Sequence, residues 1–314
     1  MKETVTAPVT DIKSRKRKAK LVQISRDRYK YLMLLPAIVL TIIFSYIPMY
    51  GLIMAFQNFN IFKGYLGSEW VGLKHFIYIF SKSDFLDSIS NTLIISVLKL
   101  ALCFPAPIIL ALLINELKVG RFKKTVQTIS YLPHFLSMMA VCGFIHMVFG
   151  RDGFINDLRV WLGESRITYL AEQNLFIWFV VGTLLWKETG WGTVIHLATI
   201  SSISPDLYEA ATIDGATRMQ RIRYITLPHM LPTVSILLIF QMGSLFSSNF
   251  ELIYGLQNPY IDFDVISTVI YNYGIRGGKY SMATAFGLVE GIVALILVLV
   301  SNKISKKISG NGIL

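Results

Sequence analysis

The sequence predicts an all-α integral membrane protein of about six transmembrane helices, and three observations carry that prediction. Of its 314 residues, 54% are hydrophobic and only 16% charged. Mean hydropathy is +0.55, too apolar for an ordinary soluble domain. Apolar runs close to the ~20 residues that cross a bilayer recur at 32–56, 89–114, 126–149, 174–200, 229–248 and 283–302. The net charge of +11 is concentrated in alternate connections between those runs.

Taken in order, residues 1–30 form a polar, basic N-terminal tail, with a cluster from Lys13 to Lys20 and then Arg26, Arg28 and Lys30. The first run is too long for a cleaved signal peptide and continues through Pro48 and Gly51 without a small-x-small cleavage site. The connection at 57–88 contains Trp70-Val71-Gly72-Leu73 and has room for a short surface helix. Pro105 and Pro107 are expected to kink the second run and free backbone carbonyls that neighbours must satisfy. Leu132-Pro133-His134 breaks the third run early, Trp186-Lys187-Glu188-Thr189-Gly190 interrupts the fourth, and the fifth turns polar toward its end. Asn258-Pro259 opens a further segment that reaches Lys279. One integrated membrane domain spans 31–303, and 304–314 form a second basic tail.

Basic residues favour one set of connections. They cluster in the two tails (Lys303, Lys306 and Lys307 in the second), in the loop with Lys118, Arg121, Lys123 and Lys124, and in the loop with Arg218, Arg221 and Arg223. The other loops are poorer: Lys63, Lys74 and Lys82, then Arg151, Arg159 and Arg166, then Arg276 and Lys279. This positive-inside pattern predicts a multi-pass protein of a cell membrane with both termini cytoplasmic. The basic charge is a topology signal, with some attraction to anionic lipid, and not a nucleic-acid footprint.

Several chemistries find no support. Cys103 and Cys142 fall inside predicted spans, with no close pair and no His at metal spacing, so neither a metal site nor a redox pair is expected. The chain lacks a Gly-x-x-x-x-Gly-Lys-Ser/Thr phosphate loop, so it is not expected to hydrolyse ATP. No His-Glu-x-x-His or Gly-x-Ser-x-Gly occurs, and Glu188 and His196 lie eight apart, so no catalytic residue is expected. An ion-coupled secondary transporter is the alternative reading. It would show internal repeats or paired broken helices, and no convincing repeat is present.

A charge within a span is costly and faces a bundle interior, a partner or a water-filled path. Lys99, Lys187, Glu188, Glu251, Glu290, His134 and His146 all occupy predicted spans. Each is either an interhelical bond or a functional group. Lys187 and Glu188 project about 100° apart on a helix and need not pair with each other. Trp178, Trp186, Trp191, Tyr254, Tyr271 and Tyr273 suit either sugar stacking or a bilayer interface.

The loop at 202–228 is built with unusual care. Ser204 is an N-cap, Pro205 fits the first helical position, and Asp206 complements the helix dipole. Glu209-Ala210-Ala211-Thr212-Ile213-Asp214 follows, and Gly215 permits a backbone break. By itself the stretch is a docking surface or a well-capped connector. It resembles the EAA loop of permease subunits from ATP-binding-cassette importers: Glu-Ala-Ala, then Gly after three residues, then an apolar-Pro pair about a dozen residues on, here Leu227-Pro228 with Pro232 beyond. Over nearly its full length the chain is similar to the sugar-importer branch that includes the maltose permeases, and to permeases for complex oligosaccharides in particular. The stretches that carry this are Tyr29 to Tyr50 with its Leu-Leu-Pro, Asn91-Thr92, Tyr131-Leu132-Pro133, and Asn249-Phe250-Glu251 through Asn258-Pro259.

The resemblance implies a type I importer architecture and a division of labour. A second homologous permease subunit, in a heterodimer, completes the pathway. Two ATPase subunits bind ATP and Mg, so this chain holds no cofactor. An extracellular lipid-anchored solute-binding protein delivers an oligosaccharide. The coupling helix falls at about 205–214, with Glu209 the foremost contact to the ATPase and Ala210, Ala211, Asp214, Gly215 and Arg218 beside it. The arginines after Gly215 face either the ATPase or lipid phosphate. Substrate contacts are expected where the spans are least apolar, at Lys99, Trp186, Lys187, Glu188, Asn249 and Glu251. Lys99 and Lys187 leave both acidic and neutral oligosaccharides open.

Overall fold

The computed structural model describes residues 26–118, 120–245 and 249–309. The chain divides into two units, Met1–Ile53 and Met54–Leu314. Most of the basic tail expected at 1–30 lies outside the described residues, and Arg28 already begins a helix.

In the first unit, α1 (Arg28–Thr41) continues through a π turn at Ile42–Tyr46 into a 3-10 stretch that starts at Ile47. Leu, Met and Ile on every side suit a helix surrounded by lipid. Lys30 pairs with Asp27 at 2.9 Å, and Thr41 donates its hydroxyl to the carbonyl of Ala37 at 2.8 Å. The latter bond satisfies a polar side chain inside the helix itself.

The second unit opens with a small antiparallel hairpin, β1 (Gln57–Asn58) and β2 (Glu69–Trp70), in the register Gln57 opposite Trp70. Next comes α2 (Lys74–Ser81), the surface helix expected in this connection. α3 (Ser83–Leu98) passes through a π turn at Lys99–Cys103 into α4 (Pro105–Glu116). The expected proline kink takes this form. Pro105 has no N–H to donate, so it sits at the first position of α4, and the amide of Phe104 reaches back to Lys99 O at 3.0 Å.

The third apolar run is not one helix over 126–149. α5 (Arg121–Tyr131) stops at a 3-10 turn, Leu132–Phe135, and α6 (Met138–Phe149) restarts beyond it. Pro133 breaks the hydrogen-bond ladder, and the Ser137 hydroxyl caps the new helix by accepting from the amide of Ala140 at 3.3 Å. After α7 (Phe154–Trp161), α8 (Gln173–Ser201) runs for 29 residues, about 43 Å at the α-helical rise. α9 (Pro205–Ile213) and α10 (Arg218–Arg221) follow. A π turn at Ile222–Thr226 leads into α11 (Leu227–Gly243). α12 (Phe250–Leu256) and α13 (Ile266–Ile270) precede α14 (Tyr280–Ser309), which extends well into the stretch expected as the second tail.

Among the described residues, five helical stretches are long and apolar enough to cross a membrane: Arg28–Phe56, Ser83–Glu116, Met138–Trp161, Arg218–Gly243 and Tyr280–Lys307. The sixth expected span, α8, has the length but carries Lys187 and Glu188 at its centre. It packs on α4, α5 and α11. Phe176 and Val180 are fully buried along it, in a core shared with Val141 of α6 and Leu252, Ile253 and Leu256 of α12. A second core joins Ile79, Phe85, Met242, Val269 and Phe286.

Among the glycines of the described residues, one on α8 makes the closest backbone approach. A Cβ on Gly190 would overlap the carbonyl of Ser130, so the end of α5 lies directly on the helix at that glycine.

Candidate functional site

Where the π turn at Lys99–Cys103, α4, α6, α8, α11 and α12 meet, they line an open cavity of about 720 Å³. Each wall has a local cause. The π turn brings Lys99 and Cys103 to the cavity from one side, and Pro107 continues that wall. α8 contributes Glu188, Trp191, Ile195 and His196, which recur at helical spacing and therefore share a face. α11 contributes Leu237, Phe240, Gln241 and Ser244 at the same period. The hydroxyl of Ser96 donates to Leu245 O at 3.0 Å and ties α3 to the end of α11.

Asn249 opens α12 with φ +85°, a left-handed conformation that Asn tolerates better than most residues. The chain turns there, and Asn249, Phe250 and Glu251 all line the cavity. Phe250, Tyr254 and Tyr271 form a cluster of rings with centroids 5.0–5.2 Å apart.

The charges in the middle of α8 are satisfied by the broken third run. The 3-10 turn leaves the carbonyl of His134 outside the helical ladder, and the Lys187 ammonium donates to it at 2.7 Å. The His134 ring lies parallel to Trp191 with centroids 4.8 Å apart, and its Nδ1 meets Glu188 Oε2 at 3.0 Å. Lys187 and Glu188, expected to project apart, are 3.8 Å from one another, because both reach toward the same turn. Pro133 thus creates an acceptor that makes a buried lysine affordable in a membrane helix.

Of the six residues proposed for the pathway, Lys99, Glu188, Asn249 and Glu251 line the cavity. Lys187 is buried beside it, held by His134 and Glu188. Trp186 stacks on Phe144 with centroids 6.1 Å apart and is not part of the wall. Trp191, which the sequence marks as suited to sugar stacking or a bilayer interface, is a wall residue, and so are His196 and Gln241, which it does not mark for the pathway. Their spacing relative to Glu188 and Ser244 carried the signal, but the face it marked had no phase until the helices were packed.

The 202–228 loop is made differently. The Ser204 hydroxyl accepts from the amide of Asp206 at 3.3 Å, and Pro205 begins α9 as expected. Gly215 has φ +78°, the left-handed turn that lets Ala216 N–H close back on Ala211 O at 2.8 Å. Thr217 and Gln220 form a reciprocal capping box at the start of α10. The Arg221 guanidinium donates to Thr212 Oγ1 at 3.0 Å and braces α9, while the Tyr208 and Thr226 hydroxyls bond at 2.9 Å. No residue of α9 is buried. Glu209, Ala210, Asp214 and Arg218 are exposed, and so is Ile213.

A multi-span helical protein with a largely apolar cavity that carries a few charged and polar groups among its helices, and a braced, exposed helix at the end of α8, has the features of a membrane permease. The chain belongs to the family of binding-protein-dependent transport system inner membrane components, which matches residues 104–309. It is 40% identical over 313 residues to the polygalacturonan/rhamnogalacturonan transport system permease protein YteP of Bacillus subtilis strain 168, covering 98% of each chain. It is 38% identical over 296 residues to Protein LplB of the same organism, covering 93% of each. A crystal structure of a bacterial ABC transporter involved in the import of the acidic polysaccharide alginate superposes with a TM-score of 0.85 at 41% identity, over 93% of this chain and 99% of that one. A crystal structure of the bacterial alginate ABC transporter in complex with alginate pentasaccharide-bound periplasmic protein superposes at 0.84.

Proposed function

We propose that this chain is one membrane subunit of an ATP-driven importer of oligosaccharides, that the central cavity receives the cargo, and that α9 transmits the ATPase stroke. The observation that carries this reading is the placement of α9. It is joined to the cavity by the same helix, α8, which lines the cavity through Glu188, Trp191 and His196 and ends at Ser201, three residues before the Ser204 cap. A displacement of α9 therefore reaches the cavity walls through one continuous rod. Glu209 is exposed on α9 as the polar contact to the ATPase, with Ala210, Ala211, Asp214, Gly215 and Arg218 around it.

In this reading both termini and the 202–228 loop face the cytoplasm. ATP and Mg are bound by two partner ATPase subunits, and the hydrolysis is theirs. A second, homologous permease closes the pathway, and a lipid-anchored binding protein delivers cargo from outside. The names of the relatives, which concern polygalacturonan, rhamnogalacturonan and alginate, favour an acidic oligosaccharide over a neutral one. ATP drives the cycle because the ATPases contact α9 differently in their open and closed states.

Reconstitution of the whole assembly in liposomes tests the proposal. ATP hydrolysis is expected to rise when cargo-loaded binding protein is added, and labelled oligosaccharide is expected to accumulate only with ATP. Accumulation driven by an ion gradient in ATP-free vesicles would overturn it.

A further inference from the structure

A second cavity, of about 500 Å³, lies at the opposite end of the molecule's central rod from the coupling loop. It is lined by His146 and Arg151 at the end of α6, by Thr168 and Leu170 just before α8, and by Asn258 and Tyr260 just after α12. α8 starts at Gln173 beside this cavity and ends at Ser201 beside α9, so the two features stand about 43 Å apart along that helix. That distance exceeds the ~30 Å of a bilayer core.

The outer cavity is strung on the same two helices as the central one. Met138 of α6 and Asn249 to Leu252 around the start of α12 line the central cavity, while His146 and Asn258 line the outer one. Six to nine residues separate the two sets, about 9–14 Å at the helical rise. Between them Val141, Cys142, Ile145, Leu252, Ile253 and Leu256 pack as a buried seam, so a chain molecule reaches both cavities only once that seam has opened.

The walls of the outer cavity are braced. Asn258 donates to Leu170 O at 2.8 Å and accepts from the amide of Tyr260 at 3.0 Å, so its own polar groups are committed to shaping the loop. His146 Nε2 lies 3.2 Å from Gly255 O. The Arg166 guanidinium donates to Arg151 O at 2.8 Å and holds that backbone in place. Arg166 also engages the neighbouring acids, Asp152 at 3.5 Å and Asp157 at 2.8 Å. Among the described residues, no carboxylate pairs with the Arg151 guanidinium. The Tyr260 side chain is largely exposed. What the cavity offers to a ligand is thus a planar cation and an aromatic face, the pair suited to a carboxylate and to the C–H face of a sugar ring.

We propose that this cavity is an entry subsite for a uronate unit of the cargo, with Arg151 binding the carboxylate and Tyr260 stacking on the ring. The site is engaged when the cargo is long enough to reach from it to the central cavity. This rests on the oligosaccharide-import reading above, and the test separates the two. In the reconstituted assembly, uptake of galacturonate dimers and hexamers is compared with that of hexamers whose carboxyls are reduced to alcohols, for the native chain and for Arg151→Ala and Tyr260→Ala.

Arg151→Ala is expected to raise the KM for the acidic hexamer roughly tenfold, leaving the dimer and the reduced hexamer unchanged. Tyr260→Ala should weaken both hexamers and spare the dimer. Equal loss for every cargo would instead mark Arg151 as part of the docking surface for the binding protein and overturn the subsite. Unchanged uptake of all three would overturn it as well. If the native assembly carries none of these sugars, it is the import reading that fails.

Discussion

The coupling loop and the central cavity are assembled by opposite means. Every bond that shapes the loop joins residues at most 18 apart: Ser204 to Asp206, Thr217 to Gln220, Arg221 to Thr212 and Tyr208 to Thr226. No residue of α9 is buried. The cavity depends on contacts made across long stretches of chain. Lys187 reaches His134 across 53 positions, and Ser96 reaches Leu245 across 149. A surface that must engage another protein is pre-shaped by its own caps and keeps its side chains free. The chamber, whose walls are proposed to move with α9, is built from several segments remote in the chain. The broken helices around it, at 99–103 and 132–137, fit that movement.

The comparison can be broken most forcefully at the cavity's tightest seam. Gly190→Ala would push a methyl group into the carbonyl of Ser130. Separating α5 from α8 is expected to cost about 1–3 kcal/mol, read as a lower unfolding temperature of the purified assembly and reduced abundance in membranes. A variant as stable as the native chain would show that the seam is not structural.

Charge reversal at the loop comes next. Glu209→Lys is expected to lower coupled uptake roughly tenfold while the unfolding temperature and the affinity for the binding protein stay unchanged. Retained uptake would remove α9 from the coupling role.

Glu188→Gln sharpens the cavity side. It removes the negative charge that faces His134 and Lys187 but keeps the side chain's shape. Transport should fall roughly threefold to tenfold, with ATPase binding intact. A matched loss of assembly would make Glu188 a structural group only.

The smallest effect is expected at the loop's cap. Ser204→Ala removes one acceptor from the first turn of α9 and costs about 1 kcal/mol. That amounts to roughly fivefold faster amide hydrogen exchange at Asp206 and Leu207, with uptake nearly preserved. Unchanged exchange would mean that the turn is held by its neighbours and not by its cap.

How much of this was legible follows from the same contrast. The Ser204 cap, Pro205, the Gly215 turn and the bounds of α9 could be read from neighbouring residues, because local bonds are written in local sequence. The cavity was half legible. Lys99, Glu188, Asn249 and Glu251 stand out as polar groups in apolar runs and Trp191 as an aromatic with two possible uses, but His196 and Gln241 do not, since a helical stripe has no inward direction until a partner helix covers it. The third run was read as a single span although Pro133 was noticed. A run's hydropathy does not register a 3-10 turn whose freed carbonyl is satisfied 53 residues away.

The sequence by itself therefore determined the class of this protein. Apolar length, the distribution of basic residues and the capped Glu209–Gly215 stretch follow from solvation and from short-range hydrogen bonds, which do not depend on the rest of the chain. Only the tertiary structure decided which charges share the cavity, which one is hydrogen-bonded by the His134 turn, and that a second cavity lies beyond the buried seam of α6 and α12. Those are distances between segments remote in the chain, and packing alone sets them.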